Sequence, residues 1–148
     1  MIDFTRQQVK QLRLLLARQP AHAGENTPEG FLLRYVFFEA LIKTVGKYYR
    51  DGLGRKKTNT AASKEVLQLP LVQKWLDNFA LKVHPEQTQL LLDSNLKHRG
   101  SKSARELRNG LVHQWSANDA REVMSRFKSL DRALVAVIGA IDKAAKTS

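Results

Sequence analysis

Apolar residues recur at every third or fourth position over most of this chain, and that spacing restricts its fold more than any other feature. The longest such run covers residues 31–50, FLLRYVFFEALIKTVGKYYR, and Thr27 and Pro28 before it suit the start of a helix. No segment alternates apolar and polar residues as a half-buried strand does. We therefore expect an all-α fold, an up-and-down bundle of about five to six helices.

Turn-forming residues between the apolar runs predict where the other helices lie. Pro70 is expected to end a short helix, and Ser101 or Ser103 can cap the helix that reaches about Gln114. The apolar residues near the end of the chain predict one long final helix. The ranges expected for these helices are 60–68, 71–83, 101–114 and 120–146.

The length and composition are those of one soluble domain. We expect residues 1–148 to form a single domain, because 148 residues with 43% hydrophobic side chains can build one core. The absence of cysteine excludes disulfides and thiolate metal sites. No apolar run is long enough to span a membrane, and the N-terminus lacks the core of a signal peptide, so we expect a cytoplasmic protein without membrane contact.

The strongest compositional feature is positive charge. The formal net charge is +11 and the isoelectric point is about 10.2. Such an excess attracts polyanions, and nucleic acid is the leading candidate. An acidic protein partner or an anionic membrane surface is also compatible with net charge alone.

One short segment combines residue types that can act on a phosphodiester. Arg108 and His113 enclose four residues near the end of a predicted helix, and Asn109 directly follows the arginine. This Arg-Asn-x-x-x-His pattern, in a short all-α chain, resembles the HEPN superfamily of ribonucleases and RNA-binding domains. The aromatic-rich helix around Glu39 also looks like an early helix of that family that contains an acidic residue.

The resemblance implies an endoribonuclease that needs no metal or cofactor and works as a homodimer. Its RNA products would carry 2′,3′-cyclic phosphate and 5′-hydroxyl ends. Histidine can donate or accept a proton near neutral pH, and the arginine fork suits the charge of the transition state. The family setting would be a toxin–antitoxin or antiphage-defence system, with an antitoxin or defence protein as a further partner. The catalytic residues carried over are Arg108, Asn109 and His113, with Glu39 beside them.

Helix geometry limits how Arg108 and His113 can meet. Five residues on an ideal helix separate two side chains by about 140° and 7.5 Å. We expect the helix to loosen at Gly110, or a two-fold axis to use both flanks. Glu39 is expected to be partly buried and to pair with Arg108 or His113, although an exposed pair with Lys43 is an alternative.

Further residues are expected to contact RNA. A basic segment leads directly into the motif helix, and Trp115 follows the motif histidine by two positions. In HEPN toxins that are silenced by nucleotidylation a tyrosine occupies this position, so that form of control is not expected here, and the indole can stack on a base instead. The predicted RNA-binding residues are Lys97, Arg99, Lys102, Arg105 and Trp115. No cluster of His, Asp and Glu has metal-ligand spacing, so no metal site is predicted.

Three other readings stay open. The same scaffold can serve as a non-catalytic RNA-binding or adaptor module. The helix that ends near Gln114 can instead be the recognition helix of a DNA-binding regulator, although no helix-turn-helix spacing precedes it. Arg108 and His113 can also be ordinary surface residues at a helix end.

Overall fold

The computed structural model describes residues 3–53, 67–93 and 101–147, and all regular structure in these ranges is helical. The fold class expected from the sequence is therefore confirmed. The described part of the chain forms seven helices: α1 (Arg6–Leu16), α2 (Pro28–Gly52), α3 (Leu69–Asn78), α4 (Pro85–Leu92), α5 (Ala104–Gln114), α6 (Ala117–Ser125) and α7 (Phe127–Thr147).

Hydroxyl side chains start the first two helices. Thr27 Oγ1 accepts a hydrogen bond from the Gly30 N–H at 2.9 Å, and Pro28 takes the first position of α2, as its sequence predicts. At α1, Thr5 and Gln8 bond reciprocally to each other's backbone N–H groups. These bonds satisfy N–H groups that the first turn of a helix leaves without a partner.

Helices α2 and α7 are the centre of the bundle. Helix α7 packs against α1, α2 and α4, while α2 also contacts α3, α5 and α6. All seven helices contribute side chains to one hydrophobic cluster. Its largest fully buried members include Phe31, Tyr35, Phe38, Leu41, Leu107 and Leu130.

Ion pairs and hydrogen bonds fix α2 against its neighbours. Arg34 Nη1 donates to both carboxylate oxygens of Asp131 on α7 at 2.9 Å, and its Nη2 donates to the Ala23 carbonyl at 3.0 Å. The guanidinium thus ties α2 to α7 and to the loop before α2. Helix α2 is the element that presents Glu39, so this bracing also positions the candidate site.

The final helix predicted over 120–146 is two helices in the structure. The chain bends at Arg126, where φ is −119° and ψ is 15°. Arg126 Nη1 donates to the Lys102 carbonyl at 2.8 Å and also pairs with the Glu122 carboxylate. Neither glycine nor proline marks this bend, and the apolar spacing continues through it. The sequence therefore does not reveal the bend.

Two boundaries near residue 70 also differ from the prediction. Pro70 lies in the first turn of α3, so it takes part in the start of a helix. Helix α3 ends at Asn78, earlier than predicted, because Ala80 adopts a positive φ of 53°. Most of the helix predicted over 60–68 lies outside the described residues, and its last two positions are not helical.

Candidate functional site

Helix α5 carries the Arg108–His113 segment, and its start is well defined. The Ser103 hydroxyl accepts a hydrogen bond from the Glu106 N–H at 3.3 Å, and the Glu106 carboxylate accepts one from the Ser103 N–H at 3.1 Å. This reciprocal capping box fixes the first turn of the helix. Of the two serines that the sequence offers for this start, the structure uses Ser103.

Glu39 and Asn109 hold the guanidinium of Arg108. Arg108 Nε donates to Glu39 Oε1 at 3.1 Å, and Arg108 Nη1 donates to Asn109 Oδ1 at 3.2 Å. The side chains of Arg108 and Glu39 are 26% and 19% exposed, so the pair is half-buried while part of it still faces solvent. Among the partners that the sequence allows for Glu39, the structure therefore shows Arg108.

Tyr35 connects this ion pair to the core. It is buried on α2, and its hydroxyl donates to the Leu91 carbonyl at 3.4 Å. Burial raises the pKa of Tyr35 far above its ordinary value. The Glu39 carboxylate raises this pKa further, while the guanidinium groups of Arg105 and Arg108 lower it. The phenol is thus within the electrostatic reach of the site and stays protonated at neutral pH.

His113 lies on another side of α5. The helix runs without a break over Ala104–Gln114, so the ideal rotation of about 140° between Arg108 and His113 is retained. Arg108 turns toward Glu39 on α2, whereas His113 is exposed near the end of α5. One chain therefore brings together Arg108, Asn109 and Glu39, but it does not bring His113 to them.

Gly110 provides space for the close approach of α6. An ideal Cβ at Gly110 would lie only 1.7 Å from Oδ2 of Asp119. Asp119 is 5% exposed, and its Oδ1 accepts a hydrogen bond from Lys102 Nζ at 2.7 Å. The prediction that α5 loosens at Gly110 is wrong, because this glycine sits in a regular helix and accommodates a buried carboxylate.

Asp119 is the residue of this region that sequence reasoning missed. Its N–H donates to the Ser116 hydroxyl at 3.2 Å, which is an ordinary contact at the start of a helix. The sequence therefore indicates that Asp119 lies in the first turn of a helix, but not that it contacts Gly110. The approach to Gly110 depends on the turn at Trp115 and Ser116, where the Ser116 N–H donates to the Gly110 carbonyl at 3.3 Å. The sequence predicts a break between residues 114 and 120, but no spacing indicates that this turn brings Asp119 against Gly110.

Two of the predicted RNA-binding residues, Lys102 and Arg105, already have intramolecular partners. The hydrogen bond to Asp119 raises the pKa of Lys102 above its ordinary value, although 45% of the lysine side chain stays exposed. Arg105 Nη1 donates to the Leu67 carbonyl at 3.2 Å. Lys97 and Arg99 lie outside the described residues.

Trp115 ends α5 in an unusual backbone conformation. Its φ of 44° and ψ of 50° place it in the left-handed region, where glycine is the common residue after a helix. Its N–H donates to the Leu111 carbonyl at 3.0 Å. The residue is 52% exposed, so a large aromatic side chain projects into solvent two positions after His113.

An apolar groove of about 310 Å³ opens between α1, α2 and α5. Val36 and Val112 line it and are 48% and 50% exposed. Ala40, which follows Glu39 directly, also lines the groove, so the groove adjoins the ion pair. The other apolar lining residues include Leu15, Leu32, Leu33 and Phe37.

Within the described ranges, no three His, Asp or Glu side chains come close enough together to hold a metal ion. Within those same ranges, no helix combines the length and the hydropathy needed to cross a membrane.

Comparisons of the chain with protein-family models, with curated proteins and with solved structures find no match. The site is therefore defined by its own geometry. It is a half-buried Arg–Glu ion pair on an all-helical bundle, with an exposed histidine further along the same helix.

Proposed function

We propose that this chain is a metal-independent endoribonuclease of the HEPN type that cuts RNA as a homodimer through Arg108, Asn109 and His113. The products would be RNA ends with a 2′,3′-cyclic phosphate and a 5′-hydroxyl. The setting that the resemblance suggests is a toxin or an antiphage-defence component, with an antitoxin or another defence protein as partner.

The observation that carries the proposal is the Arg108 guanidinium, half-buried and held by Glu39 and Asn109. An arginine that is oriented before RNA arrives loses little freedom when it binds a phosphate. Its planar fork matches two phosphate oxygens better than a lysine does. Glu39 acts in this scheme as a positioning residue that orients the fork. The net charge of +11 favours encounter with RNA.

The reaction needs one base and one acid. One imidazole removes the proton of a 2′-hydroxyl, and the resulting oxygen attacks the adjacent phosphorus. The bond from phosphorus to the 5′-oxygen breaks, and that oxygen takes a proton from a second, protonated imidazole. Arg108 offsets the negative charge that gathers on the phosphate oxygens.

A second copy of the chain supplies what one copy lacks. The strip of α5 between Arg108 and His113 contains Asn109 and Val112, and both are exposed. Two α5 helices that pack antiparallel along this strip, with the two-fold axis midway, place both copies of His113 along one edge of the contact and both copies of Arg108 along the other. In this register each Arg108 is level with His113 of the partner subunit, and Asn109 and Val112 lie close to the axis. The adjoining apolar groove offers further surface for such a contact.

The test is incubation of the purified protein with cellular RNA in EDTA, followed by analysis of the new ends. We expect cleavage to 2′,3′-cyclic phosphate and 5′-hydroxyl ends, and we expect His113→Ala or Arg108→Ala to abolish it. A single 2′-deoxynucleotide on the 5′ side of the cut should also block that cut. Full activity in both variants would rule the proposal out.

Matched controls separate catalysis from folding and from charge. His22→Ala removes another exposed histidine, and Arg132→Ala removes another exposed arginine, so both should keep full activity. Arg108→Ala leaves the Glu39 carboxylate without this partner and should cost about 1–2 kcal/mol of stability. Helical circular dichroism and a urea titration of each variant therefore accompany the activity measurement.

The separation of Arg108 from His113 within one chain also favours a second candidate function, a non-catalytic RNA-binding module. The affinity of that module for RNA would fall with rising salt concentration, as it would for the nuclease, but the module would leave RNA intact at every protein concentration. A gel shift that compares structured RNA with duplex DNA distinguishes both RNA functions from a DNA-binding regulator.

A further inference from the structure

We propose that Trp115 is a stacking platform for an unpaired base, and that the substrate class of the site is therefore single-stranded RNA. The identity of the cut bond rests on the proposed function. The binding of a base at Trp115 does not, and it can be tested without cleavage.

The two tryptophans of the chain occupy opposite environments. Trp75 is 3% exposed and packs in the core, where its ring fills the space beside Gly46. Trp115 is 52% exposed and leaves the bundle at the end of α5. Because a large aromatic side chain is normally most useful to stability when it is buried, the indole of Trp115 contributes little of its apolar surface to the fold.

The backbone at Trp115 is strained by the presence of a side chain. A left-handed conformation costs free energy for every residue with a Cβ, and glycine removes that cost. Hydrogen bonds from Trp115 to Leu111 and from Ser116 to Gly110 hold the turn in this conformation. This strained residue lies beside the candidate site. Because strained backbone is common at functional positions, we attribute the large side chain at this position to a role in binding.

The surroundings of Trp115 favour nucleic acid over a protein as the ligand. The indole follows His113 by two residues on a chain of net charge +11, and Arg121 is exposed on the adjoining α6. Every base presents a π-face to such a ring, so stacking needs no particular sequence. The interior bases of a duplex are already stacked on both faces and therefore cannot cover the indole, whereas an unpaired base of a single strand can.

The experiment is tryptophan fluorescence of the wild-type chain titrated with a single-stranded 2′-O-methyl RNA of about 12 nucleotides. Such an RNA has no free 2′-hydroxyl, so it cannot be cut. We expect quenching of the exposed tryptophan emission, no quenching by the same strand annealed to its complement, and a Kd about 5- to 100-fold weaker in Trp115→Ala. Trp115→Phe should keep part of the affinity because its ring can still stack.

Trp115→Gly guards against a folding artefact. Relief of the left-handed strain should raise its Tm by about 2–4 °C while its affinity falls as in Trp115→Ala. Ala80→Gly is the matched control, because Ala80 has a positive φ of 53° on a different element. This control should also raise the Tm but leave RNA affinity unchanged.

The outcomes separate the two proposals. Equal affinity for single strand and duplex, or an unchanged Kd in Trp115→Ala, would overturn the stacking platform and assign the indole to another contact. Quenching at Trp115 by the 2′-O-methyl RNA, together with no cleavage of cellular RNA in EDTA, supports the platform and counts against the ribonuclease. Cleavage with an unchanged KM in Trp115→Ala supports the ribonuclease and counts against the platform.

Discussion

Gly110 illustrates how one residue type in a helix can have two opposite explanations. From the sequence, a glycine midway between Arg108 and His113 predicts a weak point in the helix. In the structure the helix is regular, and the missing side chain provides room for the Asp119 carboxylate. The sequence cannot distinguish the two cases, because the deciding contact comes from the next helix.

Substitutions of Gly110 and Gly139 by alanine should have opposite effects on stability, because Asp119 lies against Gly110 whereas the space around Gly139 is open. Gly110→Ala should lower the free energy of unfolding by about 1–3 kcal/mol, because the new methyl group displaces a buried, ion-paired carboxylate. Gly139→Ala should raise it by about 1 kcal/mol, since nothing lies within 4 Å of a Cβ there. Urea titrations measure both. Stabilisation by both substitutions would contradict the close approach of Asp119.

At the scale of single helices, most of the fold could be predicted and its exceptions have physical causes. Thr27 and Pro28 start α2 as expected, and Ser103 starts α5. The bend at Arg126 was not predictable, because a side chain that bonds to the distant Lys102 carbonyl marks it and no turn-forming residue does. Contacts of that kind join residues far apart in the sequence and leave no periodic signal.

Tyr35 links α2 to α4, and its buried phenol predicts how the bundle responds to alkali. Its pKa is raised in the folded chain, so the unfolded chain releases this proton first, near the ordinary value of about 10. The stability that depends on the protonated phenol is therefore complete below about pH 10 and is lost as the pH rises further. The raised pKa values of Tyr48 and Lys102 act in the same direction.

We therefore expect the free energy of unfolding to fall between pH 9 and pH 11 and to fall less in Tyr35→Phe, which has no phenolic proton to lose. Urea titrations at both values measure the difference. An equally steep fall in wild type and variant would show that Tyr35 does not govern the alkaline response. Because the hydrogen bond to the Leu91 carbonyl is long at 3.4 Å, the variant should fold normally at neutral pH.

At the scale of the whole molecule, the proposed dimer predicts a definite register of crosslinks. The chain contains no cysteine, so introduced thiols are the only ones present. Asn109→Cys or Val112→Cys chains should each give a covalent dimer with a short thiol-reactive linker, because both positions lie close to the two-fold axis. Arg132→Cys, at an exposed position of α7, should give much less. Equal crosslinking of the α5 and α7 variants would exclude this contact.

The candidate site was only partly predictable for the same reason as the fold. The residue types, and a basic partner for a partly buried Glu39, follow from chemistry and helix periodicity, while the choice of Arg108 over His113 and Lys43 comes from the structure. The partners of Lys102 and Arg105 do not, because they lie on elements that the sequence does not place beside α5. The side of α5 that His113 occupies follows from the helix being unbroken, which only the structure shows.

The opposed placement of Arg108 and His113 on an unbroken α5 has a consequence for dosage. If one chain cannot complete the proposed site, only the homodimer is active. Below the dissociation constant of the pair, the cutting rate would then grow with the square of the amount synthesised. Halving expression would cut the damage to about a quarter, so a cell could hold a small stock of such a protein with little harm.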